Sequence, residues 1–393
     1  MATPIERIRG YQAELQALRR DLHAHPELAF EEGRTSSLVA DKLAGWGIEV
    51  HRGIARTGVV GVIKGKGAGR SIGLRADMDC LPVEEANAFA HKSRHPGRMH
   101  ACGHDGHTTM LLGAARYLAE TRNFAGTAYV IFQPAEEGGG GGQVMVQEGL
   151  FRRFPADQVY ALHNWPGLPP GKMAVRAGPV MAATDEVHIT VRGRGGHAAM
   201  PHLAVDPVLA ATQIISALQT IASRNVSPLD SVVVSICSMQ TSQLGAFNII
   251  ADAVSLLGTV RTFTPQTREL AERRVKEIAT KVAEALGASA EIAYRRGYPS
   301  TVNGAREAEF AAQVGRRLFG GENVITDHEP TMGGEDFAYM LQERPGAYVF
   351  LGQGGLEHGC MLHNARYDFN DEVIPLGAGF LAALVEEALP PGS

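Results

Sequence analysis

Three short stretches of this sequence carry residue types able to do chemistry. In M-H-A-C-G-H-D-G-H-T (99–108), Cys102 and His104 stand two apart, with His100, Asp105 and His107 around them. Alternate residues of an extended turn point to one side, and Gly103 between them permits an unusual backbone angle. Sulfur and imidazole nitrogen both suit zinc, cobalt, nickel or manganese. A lone C-x-H pair fits a reactive thiol or a chance cluster equally well. In F-Q-P-A-E-E, followed by five glycines (132–142), Glu136 and Glu137 adjoin. Burying neighbouring carboxylates is costly without cations, so a solvated turn is the plain alternative. The functional alternative divides the labour: one carboxylate ligates a metal while the other takes a proton from water. Leu-His-Asn occurs twice, around His163 and His363. Either histidine alone would pass for a core or loop residue. Together, Cys102, His104, Glu137, His163 and His363 supply enough donors for two divalent ions with a shared ligand.

The elements that must position these residues follow from hydrophobic patterning. T-G-V-V-G-V-I-K-G (57–65), S-I-G-L-R-A-D-M-D (71–79) and T-A-Y-V-I-F-Q-P-A-E-E (127–137) are apolar runs ending in polar or glycine-rich sequence. Helical patterns lie between them, one over 108–121. Apolar strands alternating with helices predict an α/β domain with a mainly parallel sheet. Ligands gather at the carboxyl ends of such strands, where D-M-D and P-A-E-E fall. From Asp185 the pattern becomes βαββαβ, a ferredoxin-like arrangement. Its helices start at Asp206–Pro207 and Thr264–Pro265, each a capping residue before proline. Val208, Ala211, Ile215, Leu218 and Ala222 form the expected apolar stripe of the first. After Pro299 the first pattern returns. The expectation is a catalytic domain over 1–184 and 297–393, interrupted by an inserted domain over 185–296.

Bulk properties narrow the function classes. At roughly 100–200 residues per domain, 393 residues imply two or three domains. A net charge of −5 with no Lys/Arg run excludes an electrostatic nucleic-acid binder. Hydrophobic residues at 45% and charged residues at 20% are ordinary for a soluble globular chain. The four cysteines lack framework spacing, as in a reduced, cytoplasmic protein. The N-terminus lacks the apolar run of a signal peptide. It predicts instead one amphipathic helix with Thr3 as N-cap, Pro4 next and Glu6 closing a capping box. Ile5, Ile8, Leu15, Leu18 and Leu22 form its apolar face. No apolar run reaches the ~18–20 residues that span a membrane.

The motif set resembles the M20 family of metallopeptidases and amidohydrolases, in particular its branch of hippurate hydrolases, N-acyl-amino-acid deacylases and auxin-conjugate hydrolases. The matching pieces run in order along nearly the whole chain: D-L-H-A-H-P-E-L-A-F-E-E (21–32), L-R-A-D-M-D-C-L-P-V-E-E (74–85), the 99–108 and 132–141 motifs, L-H-N-W-P (162–166), G-R-G-G-H-A-A-M-P-H (193–202), F-N-I-I-A-D (247–252), G-T-V-R-T-F (258–263), M-G-G-E-D-F (332–337) and L-H-N-A-R-Y-D-F-N-D (362–371). The resemblance implies a zinc-peptidase-like catalytic domain with an inserted lid that commonly dimerises, giving a homodimer or higher homo-oligomer. It implies two divalent ions held by Cys102, His104, Glu137, His163 and His363, with Glu136 as general base. His197 matches an oxyanion-stabilising histidine, which in relatives can come from the partner subunit. Asn248 and Arg261 match residues that hold a substrate carboxylate, and Gly333 and Gly334 line the same pocket. Asp77-Met78-Asp79 stands where peptidase branches have H-x-D. Asp79 is therefore expected behind the ligands, with Asp77 unassigned. Cys80 replaces an expected alanine, and His100, His107 and His202 receive no role.

The implied reaction is hydrolysis of an N-acyl or N-aroyl amino acid, a small-molecule substrate, with no nucleic acid or membrane partner. Within the family, a dipeptidase or a deacylase for other acyl groups is the nearest rival. From a different class, a hydrolase using Cys102 as nucleophile explains the 99–108 motif but leaves Glu136, Glu137, His163 and His363 idle. A non-catalytic binding protein leaves Glu136 unexplained.

Overall fold

A computed structural model describes residues 3–243, 245–354 and 360–391. The chain divides into two units. The larger holds the chain up to Val180, Val302–Glu329 and everything from Asp336 onward; the smaller holds Met181–Thr301 and Pro330–Glu335. The divisions thus fall at Val180 and Thr301 rather than 184 and 297. Pro330–Glu335 joins the smaller unit because the Ala182 N–H donates to the carbonyls of Thr331 and Gly333, at 3.1 and 2.9 Å.

The larger unit is built on one eight-stranded sheet. Its strands lie in the order Glu49–Ile54, Gly58–Lys64, Thr127–Gln133, Ser71–Asp77, Gln158–Pro166, Gly346–Gly354, Met173–Ala174 and Val324–Ile325. The central run from Thr127–Gln133 to Gly346–Gly354 is parallel. Its strands are buried over almost their whole length, as near-continuous apolar runs in a parallel sheet must be. Strands Ser71–Asp77 and Thr127–Gln133 end in register, Asp77 opposite Gln133. D-M-D and P-A-E-E therefore leave the sheet side by side. Helices Gln12–Ala24, Gly33–Gly45, His104–Thr121, Ala305–Phe319 and Ile374–Ala388 bury their apolar faces in one core with the strands.

The Thr3–Glu6 capping box is present, but the N-terminal helix is two: Pro4–Arg9 and Gln12–Ala24. Gly10 ends the first, and glycine carries the largest entropic cost of staying helical. The helix expected from Thr108 begins four residues earlier, at His104.

The smaller unit is an antiparallel four-stranded sheet in the order Val232–Thr241, Ala253–Thr262, Ala183–Arg192, Ser289–Arg296. With helices Pro207–Leu218 and Pro265–Ala285 it has the ferredoxin-like order. Asp206 and Thr264 cap those helices with their side chains. Of the anticipated stripe of the first helix, Ala211 and Leu218 are buried and Val208 and Ile215 pack half-buried against the same core, beside buried Ala210, Ile214 and Ile221, while Ala222 is exposed. Thr212, Gln213 and Ser216 face outward together with Leu209, which is 53% exposed.

Candidate metal centre

Four segments of the larger unit bring donor atoms together. Cys102 and His104 flank Gly103, whose φ of +101° turns the chain into helix His104–Thr121. A Cβ at Gly103 would lie 2.2 Å from the Asn164 amide oxygen and 2.8 Å from the Tyr367 hydroxyl, so only glycine fits. His163 lies within strand Gln158–Pro166, not past its end. His363 takes a left-handed φ of +65°, and its N–H donates to the Ala101 carbonyl at 2.7 Å. Glu136 and Glu137 follow strand Thr127–Gln133. Their backbone N–H groups donate to the two oxygens of the Asp79 carboxylate at 3.0 and 2.9 Å.

The imidazoles are oriented from behind. His104 Nδ1 donates to the Asp79 carbonyl at 2.9 Å, and His163 Nδ1 to the Asn164 carbonyl at 2.7 Å. Both rings therefore present Nε2 forward, as second-layer hydrogen bonds to metal-binding histidines do. His163 Nε2 lies 3.4 Å from the Cys102 sulfur. His104 Nε2 lies 3.9 Å and His363 Nε2 3.4 Å from Glu137 Oε1. Cys102, His104, His163 and Glu136 are buried, while His363 opens the cradle to solvent.

This donor set fits divalent metal. His104 Nε2 and Glu137 Oε1 are buried without a hydrogen-bond partner, and such atoms cost free energy unless something binds them. Burial opposes a proton on His104, but Asp77 and Asp79 lift its pKa to about 10. The centre thus draws positive charge. Burial, then Glu137, Glu136 and Asp77, push the Cys102 thiol well above its ordinary range. An activated nucleophilic thiolate needs electropositive surroundings; Cys102 has the reverse, so the thiol-hydrolase alternative loses its base of support.

A profile of peptidase family M20/M25/M40 matches residues 73–387. The chain belongs to this family. The M20/M25/M40 assignment makes it a hydrolase of amide bonds, with a centre for divalent metal. Among relatives, hippurate hydrolase of Campylobacter jejuni is 42% identical over 380 residues, covering 97% of this chain and 98% of that protein. IAA-amino acid hydrolase ILR1-like 5 of Arabidopsis thaliana is 40% identical over 381 residues, covering 95% and 86%. The crystal structure of the Bacillus subtilis YXEP protein, described as a dinuclear metal binding peptidase of the M20 family, has a TM-score of 0.84, with 33% identity over 97% of this chain and 99% of that one.

Other M20-motif residues divide between the units. His107 is fully engaged: Nδ1 meets Asp77 Oδ1 at 2.6 Å and Nε2 meets Asn164 Oδ1 at 2.6 Å. Asp77, 3.7 Å from His104 Nε2, is further held by Arg75 at 2.7 Å. Sequence patterning missed this buried Arg75–Asp77–His107–Asn164 chain; only the apolar neighbourhood of Arg75 hinted at it. His100 is buried with neither ring nitrogen hydrogen-bonded, and burial pushes its pKa down to about 4. Cys80 is a buried free thiol. His197, Asn248, Arg261, Gly333 and Gly334 all belong to the smaller unit. His197 and Asn248 are exposed beside a two-residue pairing of His197 with Ile249. Arg261 is half-buried, with Nε donating to Thr259 at 3.1 Å. It pairs in register with Thr184, the residue that a Cβ at Gly334 would strike at 2.3 Å. Arg261 and Gly334 thus share a neighbour. His202 sits in an exposed turn, Pro201–Leu203.

Proposed function

We propose that the protein is a metal-dependent amidohydrolase that cleaves N-acyl or N-aroyl amino acids, of the hippurate, N-acetyl or indole-acetyl kind, to a carboxylic acid and a free amino acid. The observation that carries this reading is the placing of Glu136 beside Glu137 at the rim of a Cys–His–His–Glu–His cradle. The hippurate and IAA-amino acid hydrolases at about 40% identity support the substrate class.

Divalent ions in this cradle supply Lewis-acid chemistry, polarising a carbonyl and acidifying water. Cys102, His104, Glu137, His163 and His363 would hold them. Two ions are favoured because donor groups share members: Cys102–His104–His163 and Cys102–Glu137–His363 meet at Cys102, and His104–Glu136–Glu137 shares one donor with each. Zinc, manganese, cobalt and nickel all suit these donors. Glu136 takes the proton from water and returns it to the leaving amine. His197 donates to the oxygen on which charge grows. Arg261, assisted by Asn248, pairs its planar fork with the substrate carboxylate, a geometry lysine cannot copy; Gly333 and Gly334 give backbone contact. A homodimer or higher oligomer through the 185–296 region belongs to the same proposal. Phe247 and Leu229 in that region are 98% and 96% exposed, surface that association would cover. A cytoplasmic location is proposed on the scattered, unframed cysteines alone. Among the described residues no helix is long and apolar enough to cross a membrane.

The test is a screen of metal-stripped protein, reloaded with each of the four metals, against hippurate, N-acetyl amino acids, indole-acetyl conjugates and dipeptides. Activity on at least one N-acyl amino acid, abolished by chelator and restored by metal, is expected. Glu136→Gln should keep its metal and lose about 10²–10⁴ in kcat. No cleavage of any N-acyl amino acid would refute the substrate class, and near-normal turnover by Glu136→Gln would refute the base.

A further inference from the structure

Three consecutive backbone N–H groups run through the Glu136–Glu137 corner, and each ends on a buried carboxylate. Asp79 takes those of Glu136 and Glu137. The third, on Ala135, donates at 2.9 Å to Oε1 of Glu32, far away in the chain. Glu32 has 0% exposure, which is rare for a glutamate. Its Oε1 also accepts the Phe30 N–H at 3.0 Å, and its Oε2 accepts the Thr57 hydroxyl at 2.5 Å.

Ala135 is the residue in need of support. Its φ is +55°, in the left-handed region that residues with a Cβ seldom take. Such a conformation persists only where its surroundings over-determine it. The glycines that follow leave no slack: a Cβ at Gly141 would lie 1.7 Å from the Pro134 carbonyl oxygen, and one at Gly139 2.7 Å from the Ala135 Cβ. Glu32 has a simpler candidate role, as cap of helix Gly33–Gly45, which it directly precedes. Glu27 already fills that role. Its carboxylate accepts the N–H groups of Arg34 and Thr35 at 2.9 and 2.7 Å, and Glu32 makes no side-chain cap bond.

We propose that Glu32 is a positioning residue for the reaction: by holding Ala135 in its left-handed conformation, it aims Glu136 and Glu137 into the metal cradle. The proposal rests on the reading of Glu136 as base and Glu137 as ligand. It gives the D-L-H-A-H-P-E-L-A-F-E-E motif a function that its sequence alone did not disclose. Because Glu32 is buried behind the corner, its loss disturbs the reacting groups rather than substrate contacts. Misplacing such groups by about 1 Å can cost on the order of 10²-fold in rate.

The experiment uses the full chain loaded with cobalt(II), whose visible absorption reports ligand geometry, and measures cobalt content, spectrum, melting temperature, kcat and KM. Glu32→Ala is expected to lower kcat about 10- to 100-fold, to leave KM within about threefold, and to shift the cobalt bands. Glu32→Gln keeps an acceptor for the Ala135 N–H and should retain kcat within about fivefold. If Glu32→Ala lowers the melting temperature while kcat per cobalt-loaded molecule and spectrum stay at wild-type values, Glu32 merely stabilises the fold and the proposal is overturned. Should Glu32→Ala not fold, Thr57→Val removes one anchor of the same carboxylate. A fall in kcat of about two- to fivefold with shifted bands supports the proposal; unchanged kcat and bands overturn it. Glu136→Gln, run alongside, separates the two readings. If it turns over substrate the base assignment fails, whereas the cobalt spectra test Glu32 regardless.

Discussion

His104 and His107 stand on the same helix, one turn apart, and do opposite jobs. His104 has one nitrogen tied to a carbonyl and one facing the cradle; His107 has both nitrogens spent on Asp77 and Asn164. The difference lies in their partners, not their type. A third histidine, His23, makes a prediction at this scale. Burial opposes its protonation, but the hydrogen bonds it donates to Asp105 at 2.8 Å and Glu85 at 3.3 Å raise its pKa to about 9. A raised histidine pKa stabilises the fold below the unfolded value near 6.5, and that contribution fades as pH climbs through 9. His23→Gln should therefore cost most at pH 6 and least at pH 10, a difference of about 3 kcal/mol. Urea midpoints of both proteins across that range check it; a cost independent of pH would contradict the assignment. That Cys102, His104 and the adjacent glutamates belong together was legible because their donor atoms are themselves distinctive. The contacts of Asp77, His107 and Glu32 were illegible, because they join distant segments and exist only once the chain is packed.

At the scale of elements, the start of helix His104–Thr121 is the critical joint. Gly103→Ala would place a methyl group against the Asn164 amide and force a strained φ. The two effects together should cost about 2–5 kcal/mol and loosen metal binding, because Asn164 also carries the carbonyl that orients His163. Chemical denaturation of metal-free protein and a zinc titration measure the two consequences separately; wild-type stability would show that the joint relaxes freely. Strand positions and capped helix starts could be seen in the sequence because alternation, Asp206–Pro207 and Thr264–Pro265 are local signals. The break at Gly10 could not. It depends on how two short helices pack.

At the scale of the whole molecule, each unit has its own hydrophobic core, and the proposed ligands belong to one of them. Metal in excess over its dissociation constant stabilises only what binds it, by about 2.7 kcal/mol at a hundredfold excess. Stripping the metal should therefore speed amide hydrogen exchange at 100–108 and 134–142 while leaving helices Pro207–Leu218 and Pro265–Ala285 unchanged. Equal loss in both units would mean that they unfold together. The two-part organisation showed in the sequence because strand and helix patterns change character near Asp185. The allegiance of Pro330–Glu335 did not, since it is set by hydrogen bonds to Ala182 across some 150 residues of chain.

The insertion also has a consequence for how the protein is made. Cys102, His104, Glu137 and His163 leave the ribosome at least 200 residues before His363. At about 5–20 residues per second, that leaves four of the five proposed ligands without the fifth for roughly 10–40 s. Throughout that interval the nascent chain carries a cysteine and two histidines able to capture stray metal or meet an oxidant. With His363 among the proposed ligands, the metal would be locked in only after translation has carried the chain through the whole insertion and back.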